Sequence, residues 1–178
     1  MRVFWARGYD SASTRDLLEA MGLSRSSLYQ AFGNKERLFL EALRRYRESL
    51  IGRLERRLAA APSAMAFLEA LFRETANEAG SDRAALGCLI FNSASELGQR
   101  GDAPSQQARQ SMAAITALFH RAVERAQAEG DIDPERDAGG LAGYLTMGMA
   151  GLRTLLKSGA DDEQARQATE LLLDGLRR

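Results

Sequence analysis

The segment that decides the fold runs from Ser13 to Glu36 and reads STRDLLEAMGLSRSSLYQAFGNKE. Ser13 is placed to cap a helix, because its hydroxyl can accept an unpaired amide of the first turn, and Asp16 stands where the acid of a capping box belongs. Gly22 supplies the left-handed backbone that a sharp turn after a helix requires, and Ser24 caps the helix that follows. The pattern predicts two short helices joined by a tight turn, which is a helix-turn-helix.

The second of these helices, predicted from Arg25 to about Phe32, carries groups that can read DNA. In a helix-turn-helix the second helix enters the major groove with its N-terminal residues against the base edges. Its outward and N-terminal positions offer hydrogen-bond donors, acceptors and a phenolic hydroxyl, and they are Arg25, Ser26, Ser27, Tyr29 and Gln30. The helix N-terminus favours a phosphate, and Lys35, just past the helix, is placed for a phosphate of the DNA backbone.

Outside this segment the composition predicts an all-α protein. Three prolines occur in 178 residues, and strong helix formers fill the stretches between them. No stretch alternates β-branched and polar residues as a half-buried strand does. Turn signals predict a first helix that ends at Gly8 and longer helices over 35–60, 62–79, 84–97, 105–129, 135–158 and 161–176. We expect a helix-turn-helix head over residues 1–34, a connecting helix over 35–60 and an antiparallel helical body over 61–178.

The distribution of charge fits a local contact with nucleic acid. Residues 1–50 hold nine basic and six acidic residues, a net charge of +3, whereas the remainder holds fifteen and eighteen, a net charge of −3. A weakly basic head on a weakly acidic body is compatible with DNA contact at the head and little nonspecific attraction elsewhere.

The sequence also predicts the compartment. Cys88 is the one cysteine, so no intrachain disulfide can form, and the first ten residues lack the apolar core of a signal peptide. The longest nearly uncharged stretch, from Leu141 to Leu156, contains Arg153 and is shorter than the roughly 20 residues that a membrane span needs. A soluble cytoplasmic protein with no membrane partner is expected.

Catalysis and metal binding are disfavoured by the residue types present. One histidine and one cysteine cannot supply a typical zinc site, and neither a phosphate-binding glycine loop nor a nucleophile-elbow pattern occurs. We therefore expect no enzymatic activity, no metal and no cofactor. Cys88 is interpreted as a buried apolar residue, with a redox or electrophile sensor as the alternative. His120 is interpreted as a surface or core residue, with an effector contact as the alternative.

The head resembles the DNA-binding domain of the tetracycline-repressor (TetR) family. The matching residues are Phe4, Gly8-Tyr9, Ser13-Thr14-Arg15-Asp16-Leu17, Met21-Gly22-Leu23-Ser24, Ser27-Leu28-Tyr29, Phe32-Gly33-Asn34-Lys35-Glu36 and Leu38. The resemblance implies an all-helical homodimer that binds a palindromic double-stranded DNA operator, usually as a repressor, and that a small-molecule effector releases. By position it implies DNA contacts from Thr14, Arg15, Arg25, Ser26, Ser27, Tyr29, Gln30 and Lys35.

The first helix departs from the family pattern. Family members usually have a longer first helix, often preceded by a basic arm, whereas seven residues precede Gly8 here. A short or truncated first helix would weaken the core of the head and remove phosphate contacts. The alternative function is therefore a small-molecule-binding helical dimer that has lost DNA binding. A nucleic-acid binder without an effector would instead have a solid body with no cavity between its middle helices.

Two further sets of residues are expected in the body. An effector pocket should be mainly apolar and aromatic, with a few polar groups that orient the ligand; the candidates are Phe67, Leu71, Phe72, Cys88, Phe91, Asn92, Met112, Ile115, Phe119, Tyr144 and Met147, with Glu96 as a further polar group. Apolar stripes at helical spacing in the last two helices correspond to the dimer interface of the family, and the candidates are Leu145, Gly148, Leu152, Leu155, Leu172 and Leu176. For both sets the alternative is the core of a single chain.

Overall fold

Helices make up the regular secondary structure of the chain. The computed structural model describes residues 1–177, and within that range it contains ten helices and no β-strand. They are α1 (Arg2–Ser11), α2 (Thr14–Met21), α3 (Arg25–Phe32), α4 (Lys35–Ala60), α5 (Ala64–Ala76), α6 (Asp82–Leu86), α7 (Leu89–Leu97), α8 (Ala103–Glu129), α9 (Ala138–Lys157) and α10 (Asp162–Arg177). The predicted all-α fold, a helix-turn-helix head followed by a helical body, is confirmed. Among these described residues, no helix is both long enough and apolar enough to cross a membrane.

Glycines account for two differences from the predicted helix boundaries. Helix α1 does not end at Gly8; it breaks there, with φ 80° and ψ 179°, and then continues to Ser11. The single helix predicted over 84–97 is wrong, because Gly87, with φ 66°, separates α6 from α7. A positive φ is incompatible with the interior of a right-handed helix, and glycine adopts it without the steric cost of a side chain. The boundaries of α3 and α4 are as predicted.

Residues 1–49 and 88–112 form one compact unit. It contains α1, α2, α3 and α7 together with parts of α4 and α8. Phe4 and Phe39 are almost completely buried, and their rings meet edge to face with centroids 5.2 Å apart. Leu17 and Leu28 bury the inward faces of α2 and α3. Burying each such side chain stabilises the folded unit by about 1.5–3 kcal/mol. Because Leu28 faces inward, the opposite face of α3 is directed outward.

Among the described residues, 50–87 and 113–177 form the second compact unit. In its core the rings of Phe72 and Phe119 lie with centroids 6.0 Å apart, and both side chains are fully buried or nearly so. The C-terminus of α10 is capped by Arg136, which donates hydrogen bonds to the carbonyl oxygens of Leu176 (2.6 Å) and Gly175 (3.0 Å). These carbonyls have no partner within the helix, so the guanidinium fixes the end of α10.

Helix α7 belongs to the same compact unit as the helix-turn-helix, which was not expected from the sequence. Residues 88–112 lie in the same unit as the helix-turn-helix, although the turn signals place them within the body. The three-part division at residues 34 and 60 remains a prediction.

Candidate nucleic-acid interface

A capping box fixes the beginning of α2. The Ser13 hydroxyl accepts a hydrogen bond from the Asp16 amide (3.1 Å), and the Asp16 carboxylate accepts one from the Ser13 amide (3.0 Å). The hydrogen bond from the Ser13 side chain, followed by that from its backbone, holds the pKa of the Asp16 carboxyl below its usual value. Arg7 also pairs with this carboxylate at 2.7 Å. The start of α2 is therefore set by bonds among residues close in sequence, and it ties α2 to α1.

Gly22 makes the turn between α2 and α3. Its φ of 63° and ψ of 29° are left-handed, and its amide donates back to the carbonyls of Leu18 and Glu19. Leu23 closes the motif with a hydrogen bond to the Leu18 carbonyl at 3.1 Å. A Cβ added at Gly22 would meet no atom within 4 Å. The backbone conformation, not the space, is what requires glycine here.

A cluster of serine hydroxyls lies at the N-terminus of α3. Ser24 accepts a hydrogen bond from the Ser27 amide at 3.1 Å, and its Oγ lies 2.9 Å from the hydroxyl oxygens of both Ser26 and Ser27. All three residues are exposed. The cluster holds the first turn of α3 and presents hydroxyl groups beside the positive end of the helix dipole, a suitable environment for a phosphate or a base edge.

The predicted DNA-contacting residues lie on accessible surface. Six are exposed, namely Arg15, Arg25, Ser26, Ser27, Tyr29 and Gln30, and two are half-buried, namely Thr14 and Lys35. Tyr29 is a large side chain that is 47% exposed next to the buried Leu28. An exposed aromatic ring on a helix that buries Leu28 on its opposite face is available for contact with a partner.

Lys35 already has partners within the chain. Its ammonium donates to the Asp10 carbonyl oxygen at 3.0 Å and lies 4.9 Å from the centroid of the Tyr9 ring. An ammonium has three N–H donors, so these contacts position Lys35 and leave donors for a phosphate.

Arg37, which was not predicted from the sequence, borders a surface groove beside α3. Tyr29 and Gln30 of α3 line this groove with Arg37, Glu41 and Arg45 of α4. Arg45 donates to the Glu41 carboxylate at 2.6 Å, whereas Arg37 is an exposed cation at the start of α4. The sequence does contain a signal for this residue. Arg37 lies two residues after Lys35, the first residue of α4, so it is a second basic side chain in the first turn of that helix.

The residues predicted to line an effector pocket divide between the two compact units. In the first unit Cys88 and Phe91 are buried and Asn92 and Met112 half-buried, and the Tyr46 hydroxyl donates to the Cys88 sulfur at 3.7 Å. In the second unit Phe67, Leu71, Phe72, Ile115 and Phe119 are buried, and the half-buried Tyr144 donates its hydroxyl to the Leu172 carbonyl at 2.9 Å. Met147 differs from the expectation, because its side chain is 66% exposed on α9 and does not face inward.

The residues predicted for a dimer interface also differ in exposure. Leu145 and Leu176 are 0% exposed within the single chain, so they belong to its core and have no surface for a partner. Gly148, Leu152, Leu155 and Leu172 line a shallow apolar cavity of about 200 Å³ at α9 and α10. A Cβ at Gly148 would lie 1.9 Å from Leu172 Cδ1, so this glycine allows the two helices to approach closely. Leu171, which was not among the predicted residues, is 74% exposed on α10.

His120 and the acidic residues do not assemble a metal site in the described part of the chain. His120 Nδ1 lies 3.2 Å from a carboxylate oxygen of Glu124, one turn along α8. Within residues 1–177 no group of three or more His, Cys, Asp and Glu side chains is arranged to hold a metal ion.

Comparison with known proteins places the chain in a family. Residues 1–42 match the family model described as bacterial regulatory proteins, tetR family. Residues 64–172 match the model described as tetracyclin repressor-like, C-terminal domain. The two matched segments include the capped helix-turn-helix and the helices from α5 to most of α10. The chain belongs to the TetR family of transcriptional regulators.

Relatives of similar length support the same assignment. The chain is 32% identical over 170 residues to the HTH-type transcriptional repressor ComR of Escherichia coli (strain K12), covering 94% of this chain and 80% of ComR. It is 29% identical over 177 residues to the HTH-type transcriptional regulator YezE of Bacillus subtilis (strain 168), covering 99% and 91%. Among solved structures, a cysteine mutant of the TetR family regulator CifR, complexed with 26-bp double-strand operator DNA, has a TM-score of 0.85 and 33% identity over 97% of this chain and 90% of that one.

Proposed function

We propose that this protein is a cytoplasmic transcriptional repressor that binds a palindromic DNA operator as a homodimer and is released by a small-molecule effector. The observation that carries the proposal is the exposed face of α3, where a capped N-terminus and a serine cluster lie beside exposed Arg25, Tyr29 and Gln30. CifR, which is similar along nearly the whole chain, has been solved with operator DNA. No enzymatic step is part of this function.

Several of the predicted DNA-contacting groups fit a known mode of DNA contact. Arginine can make a bidentate contact with guanine and glutamine with adenine, so Arg25 and Gln30 are assigned to base reading. The serine cluster at the start of α3 and the Lys35 ammonium are assigned to phosphates, which position the head without reading sequence. Thr14, Arg15 and Tyr29 complete the contact surface. The head therefore has groups for both specificity and affinity.

A homodimer is supported by exposed apolar side chains on α9 and α10. Met147 and Leu171 are among the most exposed large apolar residues of the described chain, and burial of each against a partner would contribute roughly 1.5–3 kcal/mol. Gly143 and Gly151 are exposed on α9 and would permit close approach of a second helix. Two heads related by two-fold symmetry would then bind half-sites about 34–36 Å apart, or a multiple of that.

An apolar effector is supported by the aromatic residues of the body. In the second compact unit the buried or half-buried candidates are Phe67, Leu71, Phe72, Ile115, Phe119 and Tyr144; in the first unit they are Cys88, Phe91, Asn92 and Met112. Polar groups are few among them, as in most small-molecule sites. An effector shifts the DNA-bound population only by its differential affinity for the bound and released conformations, and DNA must weaken effector binding by the same factor.

Selection from a random pool of DNA duplexes tests the proposal. The wild-type chain should enrich an inverted repeat, and an Arg25→Ala, Gln30→Ala double variant should lose the base preference. A matched control is Arg53→Ala, which removes an exposed arginine of α4 distant in sequence from the head. Recovery of no consensus by the folded wild-type protein would contradict the proposal and favour the alternative of a ligand-binding dimer without DNA binding.

A further inference from the structure

A carboxylate from α7 caps the last turn of α1. Helix α1 breaks at Gly8, so the amides that follow have lost their intrahelical acceptors. The Tyr9 amide donates to Glu96 Oε2 at 2.8 Å, and the Asp10 amide donates to Glu96 Oε1 at 2.8 Å. Both oxygens of one carboxylate thus accept consecutive amides, the arrangement by which an N-cap side chain satisfies a helix start. Here the cap comes from a residue more than eighty positions away in sequence.

The break requires glycine for two reasons. Gly8 has φ 80°, a conformation that side chains rarely adopt. A Cβ at Gly8 would also lie 2.6 Å from Glu96 Oε2, closer than a real Cβ contact. The carboxylate can reach the two amides only because position 8 has no side chain.

Further bonds tie the same turn to the rest of the head. Arg100, one turn after Glu96, forms a bidentate ion pair with the Asp10 carboxylate, with one N–O distance of 3.0 Å. The Lys35 ammonium donates to the Asp10 carbonyl at 3.0 Å, and the Tyr9 ring packs on Phe39 with centroids 4.7 Å apart. The Tyr9–Asp10 turn is therefore where α7, α1 and the start of α4 are joined.

The other end of α7 carries residues assigned above to the effector. Asn92 precedes Glu96 by four residues, so the two side chains lie on one face of the helix, one turn apart. Cys88 and Phe91 lie in the same short helix and its N-cap. Backbone hydrogen bonds between residues four apart hold a helix together, so we expect a shift of the nine-residue α7 at Asn92 to displace the Glu96 carboxylate as well.

From this geometry we infer that Glu96 is a positioning residue that couples α7 to the DNA-binding head through the amides of Tyr9 and Asp10. The inference rests on the proposed function and adds the route of its regulation. When α7 holds its position, the carboxylate orders the last turn of α1, and with it the packing that orients the helix-turn-helix. When α7 shifts, the two hydrogen bonds break together and the head loses its orientation.

Hydrogen exchange at single amides tests the cap in the full-length protein without a ligand. Glu96→Gln keeps one acceptor oxygen but turns an NH₂ group toward an amide N–H. Exchange at Tyr9 and Asp10 should rise by at least about 10-fold, because hydrogen bonds to charged groups are among the stronger ones. Glu48→Gln, which removes an exposed carboxylate of α4 that pairs with Arg44, should leave exchange at both amides unchanged. Unchanged exchange in Glu96→Gln would overturn the inference.

The operator itself is the probe for coupling. By reciprocity, if Glu96 links α7 to the head, then binding of the selected duplex must change exchange across α7, residues 89–97. We expect that change in the wild type and in Glu48→Gln, and its loss in Glu96→Gln.

A change of equal size in Glu96→Gln would overturn the coupling. A wild type that binds the duplex without any change in α7 would also overturn it while leaving the proposed function intact. A wild type that binds no duplex would remove the proposed function, and the coupling with it.

Two further variants separate this role from a general loss of stability. Arg100→Gln removes the exposed ion pair to Asp10 without touching the core, and it should reduce the operator-induced change in α7 partially. Gly8→Ala should cost less operator affinity in a Glu96→Ala background than in the wild type, because the close contact is then absent. Strictly additive losses in this pair would contradict a direct contact between the two positions.

Discussion

Two exposed surfaces of this protein differ in the kind of partner that they can hold. The outward face of α3 is polar and cationic, with hydroxyls, an arginine, a glutamine and a half-exposed tyrosine around a capped helix start. On α9 and α10 the exposed residues include Met147, Leu171 and several glycines. The first surface attracts a partner by charge and hydrogen bonds, and the second by removal of apolar area from water. Salt, charge substitution and pH should therefore act on the two surfaces differently.

The largest expected difference is in the response to salt. If the two heads of a dimer make about six phosphate contacts, raising salt from about 50 mM to about 200 mM should lower operator affinity by roughly 10³-fold, because counterions are released on binding. Association through apolar side chains should change little. Fluorescence anisotropy with the selected duplex measures the operator affinity, and sedimentation velocity measures the association of the two chains. A dimer that dissociates over the same salt range as the operator complex would show that charge also holds the α9 and α10 surface.

Charge placed on the apolar surface should abolish association. The double substitution Met147→Glu, Leu171→Glu should yield monomers at micromolar concentration, because an unpaired charge in an apolar interface costs several kcal/mol. Both side chains are exposed in the single chain, so the fold should survive, which circular dichroism can verify. Ala59→Glu, at an exposed position of α4, is the matched control and should remain dimeric. A monomeric wild type would show that this surface has no partner copy.

Substitution on the polar surface should have an intermediate effect. Arg25→Ala should cost roughly 1–3 kcal/mol of operator binding and relax the preference at one base position, if the side chain makes a bidentate base contact. Lys35→Ala should instead weaken all duplexes alike and lower the slope of log affinity against log salt by about one unit. Affinities for the consensus and for single-base variants separate the two outcomes. Equal losses on every duplex for Arg25→Ala would reassign that residue to phosphate contact.

The smallest expected effect is a dependence of stability on pH at the start of α2. The hydrogen bond from the Ser13 side chain lowers the pKa of the Asp16 carboxyl in the folded protein. This contribution to stability is therefore fully present above the ordinary carboxyl pKa of about 3.9, and it is lost as pH falls through the lower folded-state pKa. Asp16→Asn should be less stable than the wild type at neutral pH, and the difference should shrink with acidification. Denaturant unfolding at several pH values measures this, with Glu19→Gln in the same helix as the control, and a difference that is constant with pH would contradict the assignment.

The sequence by local signals alone predicted the helix-turn-helix within the head, although not the continuation of α1 past Gly8 or the packing of α7 with the head. The Ser13 and Ser24 caps, the left-handed Gly22 and the limits of α3 follow from residues within four positions of one another, so their physical causes are visible in the sequence. The same locality explains why the exposed DNA-reading candidates of α3 can be named from the order of residues. For the body, turn signals predicted the long helices, but Gly87 divides the segment over 84–97 that was predicted as one helix.

Which distant apolar and charged residues meet one another depends on the packing of whole helices. A stripe of leucines on α9 and α10 does not reveal which of them the chain buries itself. The fold places Leu145 and Leu176 in its own core and leaves Leu171 and Met147 at the surface. The contact of Glu96 with the amides after Gly8 joins positions more than eighty residues apart. No local propensity encodes such a pairing, because it depends on where the packing of whole helices brings α7 against α1.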